Sequence, residues 1–167
     1  PAVALIRSAF NRNQPGIERR IDRMSNIFLH IGMPKSGSTF IQKSLNENRN
    51  LIKNYGLFYP ELSTNNTYQS SKSHESHLLL YLSMRKAFGD EAVSTKIKIK
   101  SNLYETLENA NHVCDELKIR NTIISSEGFW NLSSQILRDI KFFLSQLYDE
   151  MIIVCFIRRQ DYLIESF

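Results

Sequence analysis

The run Ile27-Phe28-Leu29-His30-Ile31 is short, apolar and rich in β-formers, and Gly32 and Pro34 follow it, so it reads as a buried strand. From Ser38 the pattern changes. Phe40, Ile41, Leu45, Leu51 and Ile52 fall largely on one side of a helical repeat, which predicts a helical region ended by Gly56. Leu57-Phe58-Tyr59 before Pro60 predicts a second short strand. Residues 61–73 are rich in Ser, Thr and Asn and predict a long polar loop, with a helix restarting near His74. Residues 91–118 predict one long helix or a broken pair, carried by Val93, Ile97, Leu103, Leu107, Ala110, Val113 and Leu117. Asn121 to Ser125 reads as a strand, residues 132–148 as a helix, and Met151 to Ile157 as the most apolar strand of the chain.

Strands that alternate with helices, and strands that are apolar throughout, predict an α/β fold: a parallel sheet flanked by helices. Ligands of such sheets bind beyond the carboxyl ends of the strands. The polar signals of this sequence gather at those ends, as Gly32–Thr39, Ser125–Glu127 and Arg158–Ser166.

Composition narrows the function classes. A chain of 167 residues that is 42% hydrophobic and 23% charged has globular, not disordered, composition. It holds no run of about 18 apolar residues, so no membrane span is expected. Two cysteines, Cys114 and Cys155, exclude a disulfide framework and a four-cysteine metal site, and point to a reducing, cytoplasmic setting. The net charge is +4, and residues 1–23 contribute five arginines against two acids. The rest is nearly neutral, which disfavours a nucleic-acid partner and leaves any anionic ligand to a few placed groups. Residues 1–25, broken by the turn-rich Asn11–Gly16, read as an N-terminal appendage or leader with Met24 as an alternative start. Residues 26–167 form the expected domain.

The segment Gly32-Met33-Pro34-Lys35-Ser36-Gly37-Ser38-Thr39 joins the first strand to a helix. In such a loop successive backbone N–H groups surround an anion, and the helix N-terminus adds partial positive charge. The usual nucleoside-triphosphate cradle places Lys directly after its second glycine. Here the Gly32…Gly37 spacing is kept, Ser38 stands at the lysine position, and the lysine lies inside the loop as Lys35. No metal-binding acid is expected at the strand ends, so the site is read as metal-free.

Pro34-Lys35-Ser36-Gly37-Ser38-Thr39-Phe40 resembles the 5′-phosphosulfate loop of the sulfotransferases that use 3′-phosphoadenosine 5′-phosphosulfate (PAPS). Their second signature is an arginine at a later strand end with a serine eight residues on, and Arg158 and Ser166 stand at that spacing. Arg159 and Gln160 depart from the more usual Arg-Asn-Pro. The resemblance covers roughly residues 26–167. It implies a P-loop-NTPase-like three-layer sandwich and sulfuryl transfer from PAPS to a hydroxyl or amine acceptor, such as a saccharide, with release of adenosine 3′,5′-bisphosphate (PAP). The family's later glycine-rich segment has no counterpart here, so the chain is expected to be a partial, C-terminally truncated product.

The same resemblance implies roles. Lys35 stabilises charge on the leaving phosphate, and Pro34, Lys35, Ser36, Gly37, Ser38 and Thr39 hold the 5′-phosphosulfate. Arg158 and Ser166 hold the 3′-phosphate. The general base has three candidates. Glu127 has the best expected position, whereas His77 and His74 have the better unperturbed pKa. His30, inside the first strand, reads as a core histidine, and Phe129 and Trp130 as core or acceptor-pocket residues. Two other readings remain open: a P-loop kinase, and a non-catalytic PAP- or nucleotide-binding module.

Overall fold

The computed structural model describes residues 2–9, 25–32, 37–61, 76–89 and 92–157. Among the described residues, five strands build one sheet: β1 (Ala2–Ala9), β2 (Asn26–Gly32), β3 (Leu57–Phe58), β4 (Asn121–Ser126) and β5 (Glu150–Ile157). The helices are α1 (Ser38–Glu47), α2 (Arg49–Lys53), α3 (Ser76–Phe88), α4 (Val93–Glu116) and α5 (Ser134–Leu144), with a 3-10 turn over Glu127–Asn131. The strand order is β1-β5-β2-β4-β3. β5, β2, β4 and β3 are mutually parallel, and β1 pairs antiparallel with β5 at the edge. The expected α/β class with a parallel sheet flanked by helices is therefore present. The reading of residues 1–25 as an appendage did not anticipate β1. The apolar run Ala2-Val3-Ala4-Leu5-Ile6 is short and ends at Arg7, and its pairing with β5 is a long-range event that no local pattern displays.

Burial follows the strand repeat of two. Ile27 and Leu29 of β2, with Ile124 of β4 and Met151 of β5, join the main core. They pack against Leu80, Tyr81 and Met84 of α3, Leu103 and Leu107 of α4, and Ile140, Phe143 and Leu144 of α5. Residues 91–118 resolve into the single-helix alternative. In α4 the buried positions Leu103, Leu107, Ala110 and Cys114 recur at helical spacing, while Val93 and Ile97 face outward. Cys114 and Cys155 are buried free thiols.

Local signals set the remaining boundaries. α5 starts where Ser133 caps it, its hydroxyl accepting from the Ile136 N–H at 3.3 Å. The continuous helical region expected over residues 38–55 is broken at Asn48, whose side chain donates to the Ser44 carbonyl at 2.8 Å. At the amino edge of the sheet, the Ser25 N–H donates to Asp149 Oδ2 and the Asp149 N–H to the Ser25 carbonyl, each at 2.8 Å. That double clamp fixes the starts of β2 and β5 side by side. Among the described residues, no helix is long and apolar enough to cross a membrane.

Candidate functional site

β2 and β5 are parallel neighbours, and Gly32 is the register partner of Phe156. The chain leaving β2 toward the Lys35 loop and the chain leaving β5 toward Arg158 thus depart from the same sheet edge. Pro34, Lys35, Ser36, Arg158, Ser166 and the alternative base His74 lie outside the described residues.

What is described of the loop is its exit into α1. Gly37 is the N-cap, with φ +91°, a left-handed conformation that glycine adopts without penalty. Among the described residues no side-chain hydrogen bond caps α1 at Gly37, and its first turn contains no acid. The helix start therefore keeps its partial positive charge unneutralised by its own side chains. Ser38 is buried, whereas Thr39 and Phe40 are exposed.

Gly32 is held in a space that admits no side chain. A Cβ there would collide with the Ser38 side chain and stand 3.1 Å from Glu127 Cγ. The end of β2, the first turn of α1 and Glu127 are thus brought into direct contact, although 95 residues separate Gly32 from Glu127 in sequence. Glu127 is half-buried and opens the 3-10 turn, which Ser126 caps by accepting from the Gly128 N–H at 3.3 Å. Gly128 is similarly confined, because a Cβ there would meet the Tyr81 ring.

Ser125, one residue before that cap, is held from three sides. Its N–H donates to His77 Nδ1 at 3.0 Å, its carbonyl accepts from Gln42 Nε2 at 3.5 Å, and its hydroxyl bonds His30 Nδ1 at 2.6 Å. Three elements, α3, α1 and β2, therefore fix the carboxyl end of β4. His77 is fully buried, and its Nε2 lies 3.0 Å from the Pro60 carbonyl. Those two partners define the tautomer: Nδ1 accepts and Nε2–H donates. The imidazole continues the hydrogen bonding where β3 has stopped. Burial, together with the Arg49 charge, lowers its pKa to about 4 against a weaker opposing effect of the Pro60 bond.

This arrangement bears on the base candidates. Both nitrogens of His77 are engaged and neither meets solvent, so in this structure it positions Ser125 and has no free nitrogen for an acceptor proton. The physical reason is the short β3, whose missing ladder bonds the imidazole supplies. Glu127 is the described candidate whose side chain contacts the loop root at Gly32. His30 is buried as expected of a core histidine, and burial lowers its pKa. Its Nε2 has no hydrogen-bond partner among the described residues. Phe129 is core, and Trp130 is close to half exposed.

Sequence reading missed Gln42, Arg49 and Tyr59. Arg49 heads α2, its Nη1 lies 3.3 Å from Glu61 Oε2, and its guanidinium sits 5.3 Å from the Tyr59 ring centre. Tyr59 in turn stacks on His77 at 4.2 Å. No periodicity or motif marks those residues. Among the described residues no group of three His, Cys, Asp or Glu is close enough to hold a metal ion. Compared with family models, curated proteins and solved structures, the chain matches none.

Proposed function

We propose that this chain is a sulfotransferase, moving a sulfuryl group from PAPS to a hydroxyl or amine acceptor, with a saccharide as the first acceptor class to test. The finer fold reading, a P-loop-like three-layer sandwich, belongs to the same proposal. One observation carries it. The Lys35 motif and the Arg158 motif leave adjacent parallel strands at one edge, with Gly32 opposite Phe156. A ligand bearing phosphates at both ends of an adenosine needs two anion sites on one side of the sheet. The left-handed Gly37 at an acid-free helix start supports the first of them.

In this reading the backbone amides over residues 36–39 and the Ser36, Ser38 and Thr39 hydroxyls bind the 5′-phosphosulfate. Arg158 and Ser166 bind the 3′-phosphate. Lys35 stabilises the charge that develops on the leaving phosphate oxygen. Removing one such preorganised donor costs on the order of 3 kcal/mol. Glu127 takes the acceptor proton from beside the loop root. Sulfuryl transfer needs acceptor, sulfur and leaving oxygen in line, so positioning and charge stabilisation carry the catalysis.

The test is a thermal-shift titration with PAP, run beside ATP and Mg²⁺. PAP is expected to raise Tm by mass action, and Lys35→Ala and Arg158→Ala are each expected to reduce the shift. A PAP shift that survives both substitutions removes the site assignment. A shift with ATP and Mg²⁺ but none with PAP favours the kinase reading. PAP binding without sulfuryl transfer to any acceptor favours the non-catalytic module.

A further inference from the structure

We propose that the amino-terminal turns of α4 dock this protein on an anionic lipid surface. The inference is independent of the transfer reading above, and either can fail alone.

α4 has two halves of different character. Its buried positions begin at Leu103, so residues 93–102, about 15 Å of helix, contain none. In that leading segment Val93 is 72% and Ile97 64% exposed. Spacings of four, three and four residues set Val93, Ile97, Lys100 and Tyr104 on one face, and Lys96 and Lys98 stand to either side of it.

Charge is sorted along the same helix. Residues 93–104 hold three lysines and no acid, whereas residues 105–116 hold four acids and no lysine or arginine. Arg85 and Lys86, both exposed, add two cations from the last turn of α3. Lys100 ties that turn to α4, its Nζ lying 4.7 Å from the centre of the Phe88 ring. Asp90 and Glu91, outside the described residues, still leave residues 85–100 with five cations against two acids. A helix face that is merely solvated gains by pairing acid with base one turn apart. Here Lys96 and Lys100 are one turn apart and alike, and among the described residues none of the three lysines joins an ion pair.

The two properties together select the occupant. A second copy seated on this patch would bring like charges together. A soluble polyanion would be held by the lysines and would leave Val93 and Ile97 without a role. An anionic bilayer uses both: exposed β-branched side chains enter the headgroup boundary, and flanking lysines keep their stems on the apolar surface and their ammonium groups among the lipid phosphates. Among the described residues no helix crosses a membrane, so the attachment is peripheral and reversible.

Co-sedimentation of the full chain with mixed phosphatidylcholine and phosphatidylglycerol vesicles, and with pure phosphatidylcholine vesicles beside them, tests the proposal. Partitioning is expected to be at least about ten-fold stronger on the anionic vesicles. Lys98→Gln, at an exposed position, is expected to weaken it about five-fold, and the triple change Lys96→Gln, Lys98→Gln and Lys100→Gln on the order of 100-fold. Val93→Ser with Ile97→Ser is expected to weaken it about ten-fold or more, with retention on immobilised heparin unchanged. Lys43→Gln, an equal loss of charge from the exposed lysine of α1, is expected to leave partitioning as it was. Equal partitioning on the two vesicle types, or none on either, overturns the proposal. So does full vesicle binding in the Val93→Ser, Ile97→Ser variant, which would reduce the patch to a polyanion site. A loss in Lys43→Gln as large as in Lys98→Gln overturns it as well, since net charge and not this face would then be responsible.

Discussion

Acidification should weaken this fold through His77, and by an amount that the structure sets. The imidazole is fully buried, accepts from the Ser125 N–H and donates to the Pro60 carbonyl. Its pKa is held at about 4 in the folded chain, against 6.5 when unfolded. Above pH 6.5 both states are neutral there and stability does not respond. Between pH 6.5 and about 4 the unfolded chain binds a proton that the folded chain refuses, so stability falls as pH falls. At about 1.4 kcal/mol per unit, the full loss is about 3 kcal/mol, complete below pH 4. That is a large share of the 5–15 kcal/mol typical of a domain. His30, also lowered by burial, adds to the loss with the same sign. The control is His77→Gln, whose amide both donates and accepts but does not titrate. Urea unfolding of wild type and variant, followed by Trp130 fluorescence at steps from pH 7.5 to pH 4.5, isolates the single group from the carboxylates. The wild type is expected to be the more stable at pH 7, with the difference shrinking by about 1 kcal/mol per unit below pH 6.5. A difference that stays constant across that range would refute the buried, neutral assignment.

Three further outcomes are expected. Gly32→Ala should lower stability by about 1–3 kcal/mol, because the added methyl meets Ser38 and crowds Glu127; an unchanged urea midpoint would show that the contact yields. Glu127→Gln should cut turnover by about 10²–10⁴-fold while PAP still binds, and rate assays at saturating PAPS on a chain that shows activity would measure it. Leu107→Ala, at a fully buried core position of α4, should cost about 2–5 kcal/mol by denaturant melt, whereas Ile97→Ala on the exposed face of the same helix should stay within about 0.5 kcal/mol.

Much of the sheet is legible in the sequence because β2 and β5 each contain a run of mostly apolar residues, Ile27–Ile31 and Met151–Ile157, and a strand covered on both faces announces itself without alternation. Of the segment between β2 and α1, Gly37 lies within the described residues, and this glycine at the helix start adopts a left-handed turn. α4 is a partial case. The apolar list included Val93 and Ile97, which are exposed, because periodicity over a long helix does not say where along its length the core ends. The setting of His77 was not legible. Its type and polar neighbourhood suggest chemistry, and its actual partners are main-chain groups of Pro60 and Ser125, 17 and 48 residues away. Arg49 and Tyr59 were hidden for the same reason: the stack of Tyr59 on His77, with the guanidinium beside it, is a property of packing.

β3 is only two residues long, while β4 beside it has six. The sheet is therefore one strand narrower at its exit than at its entrance. A notch results, and main-chain groups that a longer neighbour would have consumed are handed to an imidazole and an amide borrowed from helices. Side chains can be exchanged by mutation far more freely than a ladder can. The notch is where evolution could retune the shape of this rim without unpicking the sheet that carries it.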